Sequence, residues 1–92
     1  MQPKSPKEFD TAFRSRLREL RTASHRTQEE VARFLGLELD TYGSYERRST
    51  MPLFYVPLVA RLYNVSLEWL LTGQDNTRRR LKVVGGGEPG AE

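Results

Sequence analysis

Residues 27–36 constrain the fold more than any other part of this 92-residue chain. Thr27 is followed three residues later by Glu30, the spacing of a capping box, in which two residues satisfy each other's backbone N–H groups at the start of a helix. Gly36 follows closely, and glycine is the usual residue where a helix ends in a left-handed turn. The segment therefore predicts a helix of about two turns. Its predicted apolar face consists of Val31, Ala32, Phe34 and Leu35.

Helical patterns recur on both sides of this segment. Further helices are predicted at about 5–23 and 39–46, from an entry at 52–57 to residue 64, and at 66–73. Ser5 and Glu8 form another capping box, while Asn64 and Gly73 suit the left-handed ends of the last two helices. The sequence predicts a compact all-α fold of five helices. The aromatic residues at helical spacing are predicted to be core: Phe9, Phe13, Phe34, Tyr42, Tyr45 and Trp69.

The predicted domain covers residues 8–73, between a disordered N-terminal arm at 1–7 and a flexible C-terminal tail at 74–92. The tail is first basic, at Arg78–Arg80 and Lys82, and then Gly-rich. Three interpretations of the basic run stay open: an arm that reaches DNA, a solubilising tail, or the lead-in to a strand at 81–84 in a dimer interface.

Charge alone is weak evidence for a nucleic-acid partner. The net charge is +3, but residues 8–73 contain nine arginines, no lysine and nine acidic residues, so this segment is neutral. The basic excess lies in the two flanking segments, and a DNA-binding surface must therefore be sought in the arrangement of charges.

Several other functions find no support in the residues. The chain has no Cys, and His25 is its only His, so neither a disulfide framework nor a metal or cofactor site is expected. Asp40 and Ser44 share a helical face without a neighbouring His base, so an enzyme is not predicted. No apolar run approaches the ~20 residues of a membrane span, and no signal peptide is recognised, so we expect a cytoplasmic protein.

Two blocks of sequence carry a specific resemblance. Residues 27–47, which include Thr27–Ala32 and Thr41–Arg47, and the closing block Asn64–Gly73 resemble the Cro and cI phage-repressor (XRE) family of helix-turn-helix proteins. The resemblance covers about residues 9–73. It implies a lambda-repressor-like fold and a nucleoid-associated transcriptional regulator, expected to be a repressor, that binds a palindromic operator in double-stranded DNA as a homodimer.

By this resemblance the helix-turn-helix runs from Gln28 to Arg47, and its second helix is the recognition helix. The resemblance implies that Gln28 donates to a phosphate and braces the side chain opposite it. It also implies that the loop after the recognition helix touches phosphates. The residues predicted to contact DNA are Thr27, Gln28, Leu39, Asp40, Thr41, Gly43, Ser44, Arg47 and Arg48.

The recognition helix departs from the usual charge of a DNA reader. From Glu38 to Glu46 there is no Lys or Arg, so the common contact of arginine with guanine is not available from this helix. Glu38 also stands at the cap position, where Glu is a poor cap. Gly43 is expected either to let the backbone approach DNA or to make room for Tyr45. The acidic helix keeps an alternative open, a protein-binding module such as an antirepressor or antitoxin that faces a basic partner.

Two structural roles complete the prediction. The resemblance implies an ion pair between Arg21 and Glu46, which would fix the recognition helix against the first helix. The fifth helix is apolar on more than one side, at Trp69, Leu70 and Leu71, and these residues are predicted to form the dimer interface.

Overall fold

The computed structural model describes residues 4–74 of the chain. The elements are α1 (Pro6–Ala23), α2 (Gln28–Leu35), α3 (Leu39–Arg47), a 3-10 turn (Leu53–Tyr55), α4 (Val56–Tyr63) and α5 (Leu67–Thr72). Within residues 4–74 there is no strand, and the predicted all-α fold of five helices is confirmed. The basic run Arg78–Arg80 and residues 81–84 lie outside the described residues, so the three interpretations of this segment stay predictions.

The helix ends follow from local chemistry. Ser5 caps α1 by accepting from the backbone N–H of Glu8 at 3.2 Å, and Pro6 occupies the first helical position. Because α1 begins at Pro6, residues 6 and 7 are helical rather than part of an N-terminal arm. At the other ends, Gly36 and Asn64 adopt the left-handed conformation, with φ of 76° and 56°.

Helix α1 packs against both α3 and α5, while α3 also packs against α2. The core between them is apolar, and its fully buried side chains are Leu17, Val31, Tyr42, Val59 and Leu70. Burial of side chains of this size, at about 1.5–3 kcal/mol each, is the main force that holds such short helices together.

One predicted core aromatic lies on the surface. Phe34 is 52% exposed, so its assignment to the apolar face of α2 is wrong. The helix turns 100° per residue, and Val31, Ala32 and Leu35 already occupy the buried side. Phe34 therefore lies on the flank of α2, about 100° around the helix axis from the middle of that buried side.

Arg16 fixes α5 to α1 in a way that the sequence did not predict. Its guanidinium donates from Nε to the carbonyl of Leu70 and from Nη2 to the carbonyl of Leu71, both at 2.8 Å. These carbonyls belong to the last turn of α5, where no helical N–H is available to them. Burial lowers the pKa of Arg16 from its usual value. The acceptors are backbone atoms, so no side-chain pattern marks this contact in the sequence.

None of the helices formed by residues 4–74 is long and apolar enough to span a membrane. In the same part of the chain, no three His, Cys, Asp or Glu side chains come close enough together to hold a metal ion.

Candidate nucleic-acid interface

Helices α2 and α3 form a short pair joined by a tight turn. The capping box that the sequence predicts is present, since the Thr27 hydroxyl accepts from the N–H of Glu30 and the Glu30 carboxylate accepts from the N–H of Thr27. After Gly36, the N–H of Leu37 donates to the carbonyl of Ala32 at 2.8 Å, which completes the end of α2 and starts the turn. The second helix of the pair then begins at Leu39.

Glu46, near the end of α3, is the centre of a buried polar network. Its side chain is 1% exposed. Arg21 of α1 donates to both carboxylate oxygens, from Nε at 2.8 Å and from Nη2 at 3.1 Å. Gln28 of α2 donates to Oε1 at 3.1 Å, and the Tyr42 hydroxyl donates to Oε2 at 2.6 Å. One carboxylate thereby connects α1, α2 and α3.

The network fixes the protonation state of its members. Burial alone would raise the pKa of Glu46, but the hydrogen bonds from Arg21, Tyr42 and Gln28 outweigh burial and hold the pKa below its usual value. The hydrogen bond to Glu46 raises the pKa of Arg21, and burial raises the pKa of Tyr42 well above its usual range. Glu46 is therefore a fully compensated anion that adds no free negative charge to the surface.

The surface of α3 at its first turn is acidic and apolar. Glu38, Leu39 and Asp40 are exposed, and Leu39 retains 45% of its accessible surface. The Glu38 side chain makes no capping hydrogen bond, as expected for Glu at this position. Among the residues predicted to read bases, Leu39 and Asp40 thus have side chains that a partner can reach, and Thr41 is half-buried.

Two other predicted base-reading residues are buried. Ser44 is 9% exposed, and its hydroxyl donates to the carbonyl of Thr41 at 2.8 Å, so in this structure it does not present a free hydroxyl. Gly43 is also buried. The family resemblance implied that both contact DNA, but α3 is oriented so that residues 42–44 and 46 face inward.

The space beside Gly43 is occupied by the side chains of Arg47 and Gln28. A Cβ at position 43 would lie 2.9 Å from Nη1 of Arg47 and 3.4 Å from Oε1 of Gln28. The Arg47 side chain therefore folds back by one turn along α3 and lies over the glycine beside the Gln28 amide. A guanidinium thus lies against a helix whose residues 38–46 contain no basic residue. Arg47 and Arg48 are both exposed.

The three residues of the predicted dimer interface differ in their environments. Leu70 is completely buried in the core, so its side chain is not part of the surface of α5. Leu71 packs against the core and is half-buried. Trp69 is also half-buried, but it is not among the apolar residues that pack against the core, and Leu67 beside it is 46% exposed.

The sequence contains a signal for the contact between Tyr42 and Glu46. Tyr42 and Glu46 are four residues apart on α3, a spacing at which helical side chains meet. A tyrosine hydroxyl in a core requires an acceptor, and Glu46 was the nearest one along the helix. Tyr42 is therefore both a core side chain, as predicted, and a hydrogen-bond donor to Glu46.

Comparisons with known proteins agree with this geometry. The family model described as Helix-turn-helix matches residues 17–70, more than half of the chain. The chain belongs to this helix-turn-helix family, and the resemblance found in the sequence is confirmed.

The relatives add a regulator of similar sequence. The uncharacterized HTH-type transcriptional regulator YobD of Bacillus subtilis (strain 168) is 42% identical over 57 residues, which are 61% of this chain and 51% of that protein. The chain thus matches about half the length of this curated relative. No solved structure matches the chain at a significant level.

Proposed function

We propose that the chain is a sequence-specific, DNA-binding transcriptional regulator that inserts the first turn of α3 into the major groove. The observation that carries this proposal is the position of α3, which exposes Leu39 and Asp40 at one end and Arg47 and Arg48 at the other. The helix-turn-helix family and the regulator similar in sequence support it. We also propose that this regulator acts at the nucleoid, that it is a repressor, and that it catalyses no reaction.

The roles of the exposed residues follow from their chemistry. Asp40 is suited to accept from a cytosine amino group, and Leu39 to contact a thymine methyl. Arg47 and Arg48 are suited to phosphates, which position a protein on DNA without selecting its sequence. Gln28 uses one N–H for Glu46 and keeps the other for a phosphate.

The experiment is a selection of bound sequences from a random duplex pool, followed by salt titrations with the selected duplex. Arg47→Ala with Arg48→Ala should weaken binding to all duplexes alike and reduce the salt slope by about two units. Asp40→Ala should change the preferred bases while leaving the salt slope nearly unchanged. A wild-type chain without any salt-dependent duplex affinity would contradict the proposal and favour the protein-binding alternative.

We further propose that the regulator binds a palindromic site as a homodimer, with half-sites about 34 Å apart. Leu67 is exposed, and Trp69 and Leu71 are half-buried, so these apolar residues of α5 are the candidates for the interface. Sedimentation at ~100 µM should show a dimer that Trp69→Ala weakens. A monomeric wild type that binds an asymmetric site tightly would contradict this part alone.

A further inference from the structure

A cleft between α1 and α3 adjoins the surface described so far and extends beyond it along α1. It has a volume of about 270 Å³, and α1 contributes four side chains to it, while α3 contributes two. The α1 residues are spaced so that they form one face of that helix. The residues that line the cleft are Thr11, Arg14, Ser15, Arg18, Glu46 and Arg47.

The charge of this cleft is strongly positive. Arg14, Arg18 and Arg47 form no ion pair and donate no side-chain hydrogen bond within the part of the chain that the structure describes. The carboxylate of Glu46 is compensated by Arg21 and by two further donors. Three arginines therefore line one small cleft whose one carboxylate, that of Glu46, is already compensated, in a segment whose overall charge is zero.

We propose that this α1–α3 cleft binds a phosphate group, namely one of the DNA backbone outside the groove that α3 enters. Guanidinium groups bind phosphate through paired N–H donors, and the hydroxyls of Thr11 and Ser15 add donors at the same opening. The volume is below that of sites for drug-sized ligands, which are about 300–1,000 Å³, and is ample for a single phosphate group.

The cleft is continuous with the proposed DNA-binding surface, and this second inference rests on that proposed function. Arg47 belongs to both, since it lines the cleft and also lies over Gly43 beside Gln28. In our proposal, the phosphate next to the one that Arg47 contacts lies at Arg18 and Arg14. The first turn of α3 is acidic, and the arginines of α1 supply positive charge that this turn does not provide.

The test compares arginines that carry the same charge in different places. Arg14→Gln and Arg18→Gln should each weaken binding to the selected duplex about threefold to tenfold at low salt and reduce the salt slope by about one unit. Arg61→Gln on α4 is the matched control, because Arg61 is exposed and does not line the cleft. Arg14→Lys should retain most of the salt slope, because it keeps the charge. Thermal melts of each variant establish that the fold is intact.

Two outcomes separate this inference from the proposed function. If the wild type binds duplex DNA and Arg14→Gln and Arg18→Gln behave like Arg61→Gln, the cleft inference is overturned and DNA binding stands. If the wild type binds no duplex, the proposed function fails, and pyrophosphate is titrated while the arginine Nε–Hε NMR signals are followed. Saturable shifts at Arg14 and Arg18 would then support a phosphate site for a free ligand, and their absence would overturn it.

Discussion

Helices α2 and α3 have nearly the same length, eight and nine residues, but their ends are held in different ways. Helix α2 has a capping box at its start and a left-handed glycine at its end, both encoded by its own sequence. Helix α3 has no side-chain cap, and Gly43 lies in its interior, where glycine costs about 1 kcal/mol relative to alanine. Helix α3 is instead fixed in place by Glu46, which accepts hydrogen bonds from Arg21 on α1 and Gln28 on α2.

The difference shows how the exposed side of a helix can be relieved of a role in holding the fold together. Because Glu46 and Tyr42 fix α3 from its buried side, the exposed residues of its first turn contribute little to the fold. The side chains of Leu39 and Asp40 can therefore differ without loss of the fold, and they remain accessible to a partner. Helix α2 lacks this freedom at its own start, where Thr27 and Glu30 are engaged in capping.

The largest effect is expected from removal of the cation that compensates Glu46. Arg21→Ala should lower the free energy of unfolding by about 3 kcal/mol, because it leaves a buried carboxylate without its charge partner. Urea unfolding measures the loss. Arg18→Ala is the control on the same helix, since Arg18 is exposed, and it should change stability by less than about 0.5 kcal/mol.

The interaction itself is measured by a double-mutant cycle. Glu46→Gln should also destabilise, and the loss in the double variant Arg21→Ala/Glu46→Gln should be much smaller than the sum of the single losses. Additive losses would mean that the two side chains act independently, against the geometry.

The pH dependence of stability tests the contribution of Glu46, which fixes α3 but has no counterpart in α2. Because the pKa of Glu46 is lowered in the folded chain, its stabilisation is present above the ordinary carboxyl pKa of about 4.3 and is lost as pH falls through the lowered value. The stability difference between wild type and Glu46→Gln should be constant above about pH 5 and shrink below about pH 4. Parallel curves down to pH 3 would contradict the assignment.

The contrast between α2 and α3 also explains what the sequence revealed. The boundaries of α2 were predictable, because Thr27, Glu30 and Gly36 act on their immediate neighbours. The rotation of α3 was not, because Tyr42, Gly43 and Ser44 give no clear apolar face. The exposure of Phe34 and the hydrogen bonds from Arg16 to α5 depend on which elements pack beside these residues. The spacing of residues along a single helix does not reveal those neighbours.

The two cap positions provide a matched pair of smaller effects. Thr27→Ala should destabilise the chain by about 1 kcal/mol, because the N–H of Glu30 loses its acceptor. Glu38→Ala should have almost no effect on stability, because Glu38 makes no capping hydrogen bond. Urea unfolding of both variants at pH 7 tests the difference. Equal losses would show that α3 has a cap that the geometry does not reveal.

The smallest effect on stability, and the most informative one on function, is expected at Gly43. Gly43→Ala removes the helical penalty of glycine, but its Cβ would meet Nη1 of Arg47 at 2.9 Å and must displace that flexible guanidinium. We expect a gain in stability below about 1 kcal/mol. Duplex affinity should fall, because Arg47 no longer lies beside Gln28. In an Arg47→Ala background the same substitution should leave affinity unchanged. A loss of affinity that persists there would mean that the backbone at Gly43 itself approaches DNA, as one of the two sequence interpretations held.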